Sequence, residues 1–175
     1  MRTGLTAVTV AVLVGATTVV TQSAVTAAPA TPERVAGIAH LNTPVNLPNG
    51  VWTDAPLEVT LPRAGTYELD ADVRGRLAGA PSINTFITAR LWDVTSGTAV
   101  AESERLVNQI IDLNPGAAQA GGNATAPISE LIQVNGPTTI RLQGIRNDAV
   151  GAASIAQIYS DASGRTSLRY ERVGP

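Results

Sequence analysis

The sequence contains no cysteine, no lysine, one histidine, one methionine and few aromatic residues (3%). Without cysteine there are no disulfides, no thiolate metal sites and no thiol catalysis. A single imidazole, His40, cannot build a His-rich metal site, and any Ser–His–acid triad would have to use it. The twelve basic residues are all arginine, a composition that fits a high-GC bacterial genome. The formal charge of −2 is spread along the chain without blocks of one sign. There is accordingly neither the basic stripe of a nucleic-acid binder nor a polybasic membrane tether.

What is present is Ala, Val, Thr and Gly in a chain of 175 residues, long enough for one domain with a real core. The first thirty residues read as an address. One early Arg precedes an apolar run from about Leu5 to Val20 and a tail of small residues, the layout of a secretory signal. Cleavage after Ala27 places Val25 and Ala27 at the small-residue positions, and cleavage after Ala30 is the rival. A retained membrane anchor is the alternative, but the apolar run is shorter than the roughly 20 residues needed to span a bilayer. The expected organisation is a signal peptide over 1–27, an N-terminal segment with a first strand over 28–41, and a β-sandwich over 42–175. The mature chain is expected to be secreted and extracellular.

After Ala28 apolar residues recur at every second position and β-branched residues fill the runs, so the pattern is that of strands. The phrase YELDADVRGRL is the clearest case. Tyr67, Leu69, Ala71, Val73 and Leu77 form one row, and Glu68, Asp70, Asp72, Arg74 and Arg76 the other. The first row is expected in the core and the second in water, with Gly75 easing a bend or bulge. Other strands are read at Glu33–Leu41, Leu57–Leu61, Ile83–Val94, Thr98–Ile111, Ile128–Val134, Thr138–Arg146, Ala153–Ser160 and Thr166–Val173. Gly97 supplies the tight turn after Ile83–Val94, and Asp112–Pro127 is read as an irregular surface excursion. About nine short strands between turn signals predict an all-β fold, an antiparallel two-sheet sandwich of jelly-roll type. An immunoglobulin-like sandwich is the second choice, without its Cys–Trp–Cys framework.

The phrases LPRAGTYELDADV, ARLWDVTSGTAVAESE, ISELIQVNGPTTIRLQ and SGRTSLRYERV resemble bacterial and phage jelly-roll domains related to the complement and tumour-necrosis-factor family. In such domains a Gly-x-Tyr phrase opens a central strand, here Gly65-Thr66-Tyr67. A Gly-Pro turn leads into a late Arg/Leu strand, here Gly136-Pro137 before Ile140–Leu142. The resemblance spans roughly Asn42 to Val173. It implies a non-catalytic recognition or assembly module, commonly trimeric, and names no ligand.

Candidate chemistry is thin. Ser103 lies between Glu102 and Glu104, and strand alternation would turn both carboxylates away from it. Glu68 with Asp70, or Glu102 with Glu104, stand about 6.6 Å apart on a strand, within the range of a glycosidase acid pair. Such clefts also need stacking aromatics, which are scarce here, so no enzyme is expected. Glu68, Asp70 and Asp72 are weak calcium candidates, since a straight strand splays its side chains rather than wrapping an ion. Trp52, beside a turn, and Trp92, on a strand, are the best ligand candidates, with Asp54 and Arg90 as polar neighbours. A tryptophan with Asp or Arg beside it suits stacking on a sugar, while large aromatics also serve as core plugs or subunit contacts. Two functions follow as expectations. The first is a self-associating structural or recognition module, a homotrimer or other homo-oligomer. The second is a carbohydrate-binding protein acting on a cell wall or extracellular polysaccharide. No cofactor, nucleic acid or membrane partner is expected.

Overall fold

The structure, a computed structural model, describes residues 34–116 and 118–175. The expected signal segment and its cleavage sites lie outside the described residues. Eleven strands and no helix make up the described chain. They are β1 (Ala36–His40), β2 (Val45–Asn46), β3 (Thr53–Leu61), β4 (Gly65–Gly79), β5 (Ile83–Asp93), β6 (Thr98–Ala99), β7 (Arg105–Asp112), β8 (Ala120–Val134), β9 (Thr138–Val150), β10 (Ile155–Ile158) and β11 (Ser167–Gly174).

All pairings are antiparallel. Sheet A runs β1-β11-β4-β10-β2, with β8 on the other side of β4, and sheet B runs β3-β9-β5-β6, with β7 also on β5. The long strands pair as β5 with β7, β4 with β8, β3 with β9 and β1 with β11. These are nested hairpins. The chain is thus one long two-ply ribbon, folded over and closed laterally by β4 with β11 and β5 with β9. That wrapping is the jelly roll, and it lets two sheets bury their inner faces against each other.

The core follows from period-two alternation. Tyr67, Leu69, Ala71, Val73 and Leu77 of β4 face Ile87, Ala89 and Leu91 of β5 and Leu57, Val59 and Leu61 of β3 within one buried cluster. Tyr67 packs edge-on against Tyr170 at 6.0 Å and donates its hydroxyl to the Arg63 carbonyl at 3.0 Å.

Three expectations change. Asp112–Pro127 is not irregular throughout. Its second half belongs to β8, which pairs with β4 from Gly79–Ala120 to Gly65–Val134 without a register shift. The fifteen-residue β4 imposes the strand on a stretch of weak local preference. Thr98–Ile111 breaks into β6 and β7, because Glu102 adopts a positive φ of 58° and Ser103 folds inward. Ser103 Oγ accepts from the Leu91 amide at 3.1 Å and donates to the Val100 carbonyl at 2.7 Å. Gly75 marks no bulge in the β4–β8 ladder. A Cβ there would lie 2.9 Å from Val107 and 3.3 Å from Asn108, so the glycine admits β7 against β4. Asn108 fills this junction, donating to the carbonyls of Gly75 and Gly122.

Candidate functional site

The outer face of sheet B is built from alternate residues of β3, β9 and β5. Register sets Asp54 beside Gln143 and Gln143 beside Arg90, while the next row holds Glu58, Arg141 and Trp92. Trp52 immediately precedes β3, after a turn in which Gly50 takes a φ of 71°. The four residues singled out in the sequence, Trp52, Asp54, Arg90 and Trp92, therefore meet in one network.

Arg90 is its hub. Its guanidinium carbon lies 3.9 Å from the Trp52 ring centre and 4.9 Å from that of Trp92. Its Nε donates to Gln143 Oε1 at 2.9 Å, and Nη1 approaches Glu104 Oε1 at 3.5 Å. Gln143 Nε2 donates onward to Asp54 Oδ1 at 2.7 Å. Arg141 donates to both Asp54 and Glu58. Partial desolvation opposes the Arg141 charge, but hydrogen bonds to Glu58 and Asp54 outweigh it and raise its pKa above the ordinary arginine value.

The arrangement has a chemical consequence. Arg90 occupies one aromatic face of each tryptophan with a cation–π contact. A ligand approaching this site therefore meets the outward ring surfaces and edges of the half-buried tryptophans. The gap between them is filled. Gln143, Arg141, Glu58 and Glu104 were not anticipated as members of the network. The Arg141/Gln143 alternation in TIRLQG was a signal, but its partners depend on register between strands distant in sequence.

The carboxylates considered for calcium lie on the opposite surface, the outer face of sheet A. Asp70 accepts from the Ser129 hydroxyl and faces Arg169 at 3.6 Å. Glu68 stands across from Glu171, which is held by Arg34 at 2.7 Å. Among the described residues, no group of three or more His, Cys, Asp or Glu side chains is gathered as a metal would require. A shallow groove of about 340 Å³ runs here, lined by Arg34, Ile38, Glu68, Asp70, Arg169 and Glu171.

Further along β4, the basic half of the same row is held by the β10–β11 loop. Arg74 donates to Asp161 at 2.6 Å, to the Gly164 carbonyl and to the Tyr159 hydroxyl at 3.0 Å. Arg76 lies over the Tyr159 ring at 4.1 Å and reaches Asp161 at 3.5 Å. The hydrogen bond from Arg74, together with the Ser163 amide, holds the Asp161 carboxyl below the usual carboxylate range. His40 sits exposed on the edge strand β1, opposite Ser167. Ser103 is buried while Glu102 and Glu104 are exposed, a separation produced by the turn rather than by strand alternation.

No family model and no curated protein matches the chain. Among solved structures the chain is similar to the VP2 subviral particle of infectious bursal disease virus, at 13% identity and a TM-score of 0.48 over 81% of this chain and 33% of that one. It is also similar to the T=1 particles derived from that virus (14%, 0.49, 81% and 32%) and to the virus of the Gx strain (13%, 0.49, 80% and 33%). The chain spans about a third of the length of these solved chains.

Proposed function

We propose that this chain is a secreted, non-catalytic module that self-associates through its jelly-roll surface. One observation carries the reading: on the outer face of sheet A, Ile38, Leu131 and Val173 remain 54%, 67% and 52% exposed. Leu131 and Val173 line one shallow depression with Glu68, and Ile38 shares the adjoining groove with the same glutamate. Large apolar side chains on an outer sheet face are the usual mark of a surface that a partner covers, and a symmetric second copy supplies that cover most simply. Resemblance to the complement and tumour-necrosis-factor group fits this reading, since Gly65-Thr66-Tyr67 opens β4 and Gly136-Pro137 precedes β9. Multi-angle light scattering on the full chain tests it. Oligomers growing with concentration support the reading, and a strict monomer at high micromolar concentration overturns it.

A second reading rests on a separate observation, the convergence of Trp52, Trp92, Arg90 and Asp54 on sheet B. A flat strip of aromatic and hydrogen-bonding side chains, each fixed by its neighbours, suits a polysaccharide lying across the strands. Retention on cellulose, chitin or peptidoglycan, lost in Trp52→Ala and Trp92→Ala, is the expected result. Absence of wild-type retention on all three removes this reading.

A further inference from the structure

The four flanks of the sandwich are not equally closed. On β3 the pairing with β9 is interrupted between Asp54 and Glu58, and Pro56 sits in that interruption. On β8 the free side carries Pro127, which has no N–H to offer. The free side of β7 runs beside β8 and is tied across by Asn108 to Gly122 and by Arg105 to Glu130 at 2.8 Å. Strand β1 carries neither proline nor bulge, and the chain has no lysine to guard it.

Register shows which backbone groups of β1 are free. The Arg172 amide donates to the Val35 carbonyl and the Leu41 amide to the Thr166 carbonyl, and Ala36–Glu171 to His40–Ser167 keep the same register between them. In an antiparallel ladder hydrogen-bonded pairs alternate with non-bonded ones. Val35, Gly37, Ala39 and Leu41 therefore bond to β11. The N–H and C=O groups of Ala36, Ile38 and His40 point away from the sheet, unpartnered among the described residues. Their side chains are exposed as well.

We infer that β1 pairs edge to edge with β1 of a second copy about a two-fold axis at Ile38, joining two A sheets into one. This rests on the self-association reading and adds to it a contact at the sheet edge, where Ile38 borders the apolar outer face. The register is self-complementary. Ile38 meets its own symmetry mate, and Ala36 meets His40 of the second copy, each pair made of residues whose backbone groups already face outward. Arg34 falls opposite Asn42, so no like charges oppose one another. The Ile38 side chains form the cross-strand apolar pair at the centre, which explains an isoleucine more than half exposed on an edge.

The test is sedimentation velocity on the full chain over a concentration series, comparing wild type with Ile38→Pro. Because the Ile38 N–H takes no part in the β1–β11 ladder, proline there removes no intramolecular bond. The expected result is a dimer that Ile38→Pro weakens at least tenfold, with an unchanged circular dichroism spectrum. Amide exchange on the wild type gives an independent reading. The Ala36, Ile38 and His40 amides should gain protection as concentration rises. Free exchange of these amides in an associated sample, or an oligomer unaffected by Ile38→Pro, overturns the pairing and leaves self-association standing. A wild type that is monomeric throughout overturns both.

Discussion

The guanidinium of Arg90 lies between the rings of Trp52 and Trp92, 3.9 Å from one centre and 4.9 Å from the other. One cation joins a residue preceding β3 to the C-terminal end of β5, across the intervening β9. Its side chain is 15% exposed, so the contact is largely shielded from water.

Replacing this hub by Arg90→Ala is expected to cost about 1–2 kcal/mol, through the lost cation–π contacts and the Gln143 hydrogen bond. Urea unfolding followed by tryptophan emission measures both consequences. The folded baseline should shift as the rings lose their cation, and the midpoint should fall. Arg90→Lys should recover only part of either, since an ammonium cannot stack as a planar group.

Gly75→Ala puts a methyl 2.9 Å from Val107 in a packed junction. Overpacking of this kind costs about 1–3 kcal/mol, read as a lower melting temperature. Gly122→Ala on β8, where nothing lies within 4 Å, is the control and should change stability little.

Asp148 is almost wholly buried, at 6% side-chain exposure. It accepts from Thr85 at 2.6 Å and faces Arg146 at 3.3 Å. Asp148→Ala strands the Arg146 charge and is expected to destabilise by about 3–5 kcal/mol. Asp148→Asn keeps the hydrogen bond and should cost less, which chemical denaturation of the two variants will separate.

Asp161 gives a pH dependence of defined sign. The Arg74 hydrogen bond and the Ser163 amide lower its folded pKa, so its contribution to stability is complete above the unfolded value. That contribution fades as pH falls through the folded value, below the usual carboxylate range. Wild type should exceed Asp161→Asn in stability at neutral pH, and the two should converge in strong acid. Thermal melts of both proteins from neutral to acid pH check the convergence.

How far the sequence carried these conclusions depends on the range of the interaction. The β4 alternation was visible because period two is local, and all five predicted apolar residues are buried. The two-sheet class followed from many short strands. The extension of β8 back to Ala120 was hidden because AGGNATAP has little strand preference of its own and borrows order from β4. The break at Glu102 was hidden because its cause, Ser103 bonding to Leu91 and Val100, lies inside the fold. The candidate site divides in the same way. Trp52, Asp54, Arg90 and Trp92 stood out by residue type, whereas Gln143 and Arg141 joined them only through pairing of β9 with both β3 and β5.

The position of β11 between β1 and β4 has a consequence for synthesis. Sheet A lacks a middle strand, not a border, until Ser167–Gly174 has emerged. Until then, β1 has no ladder to join, and the inner face of β4 lacks Leu168 beside it. Long-range closure of this kind is slow, so sheet A must remain open in a nascent chain until Ser167–Gly174 has been made. A stop placed just before Ser167 should yield an unfolded product rather than a trimmed sandwich.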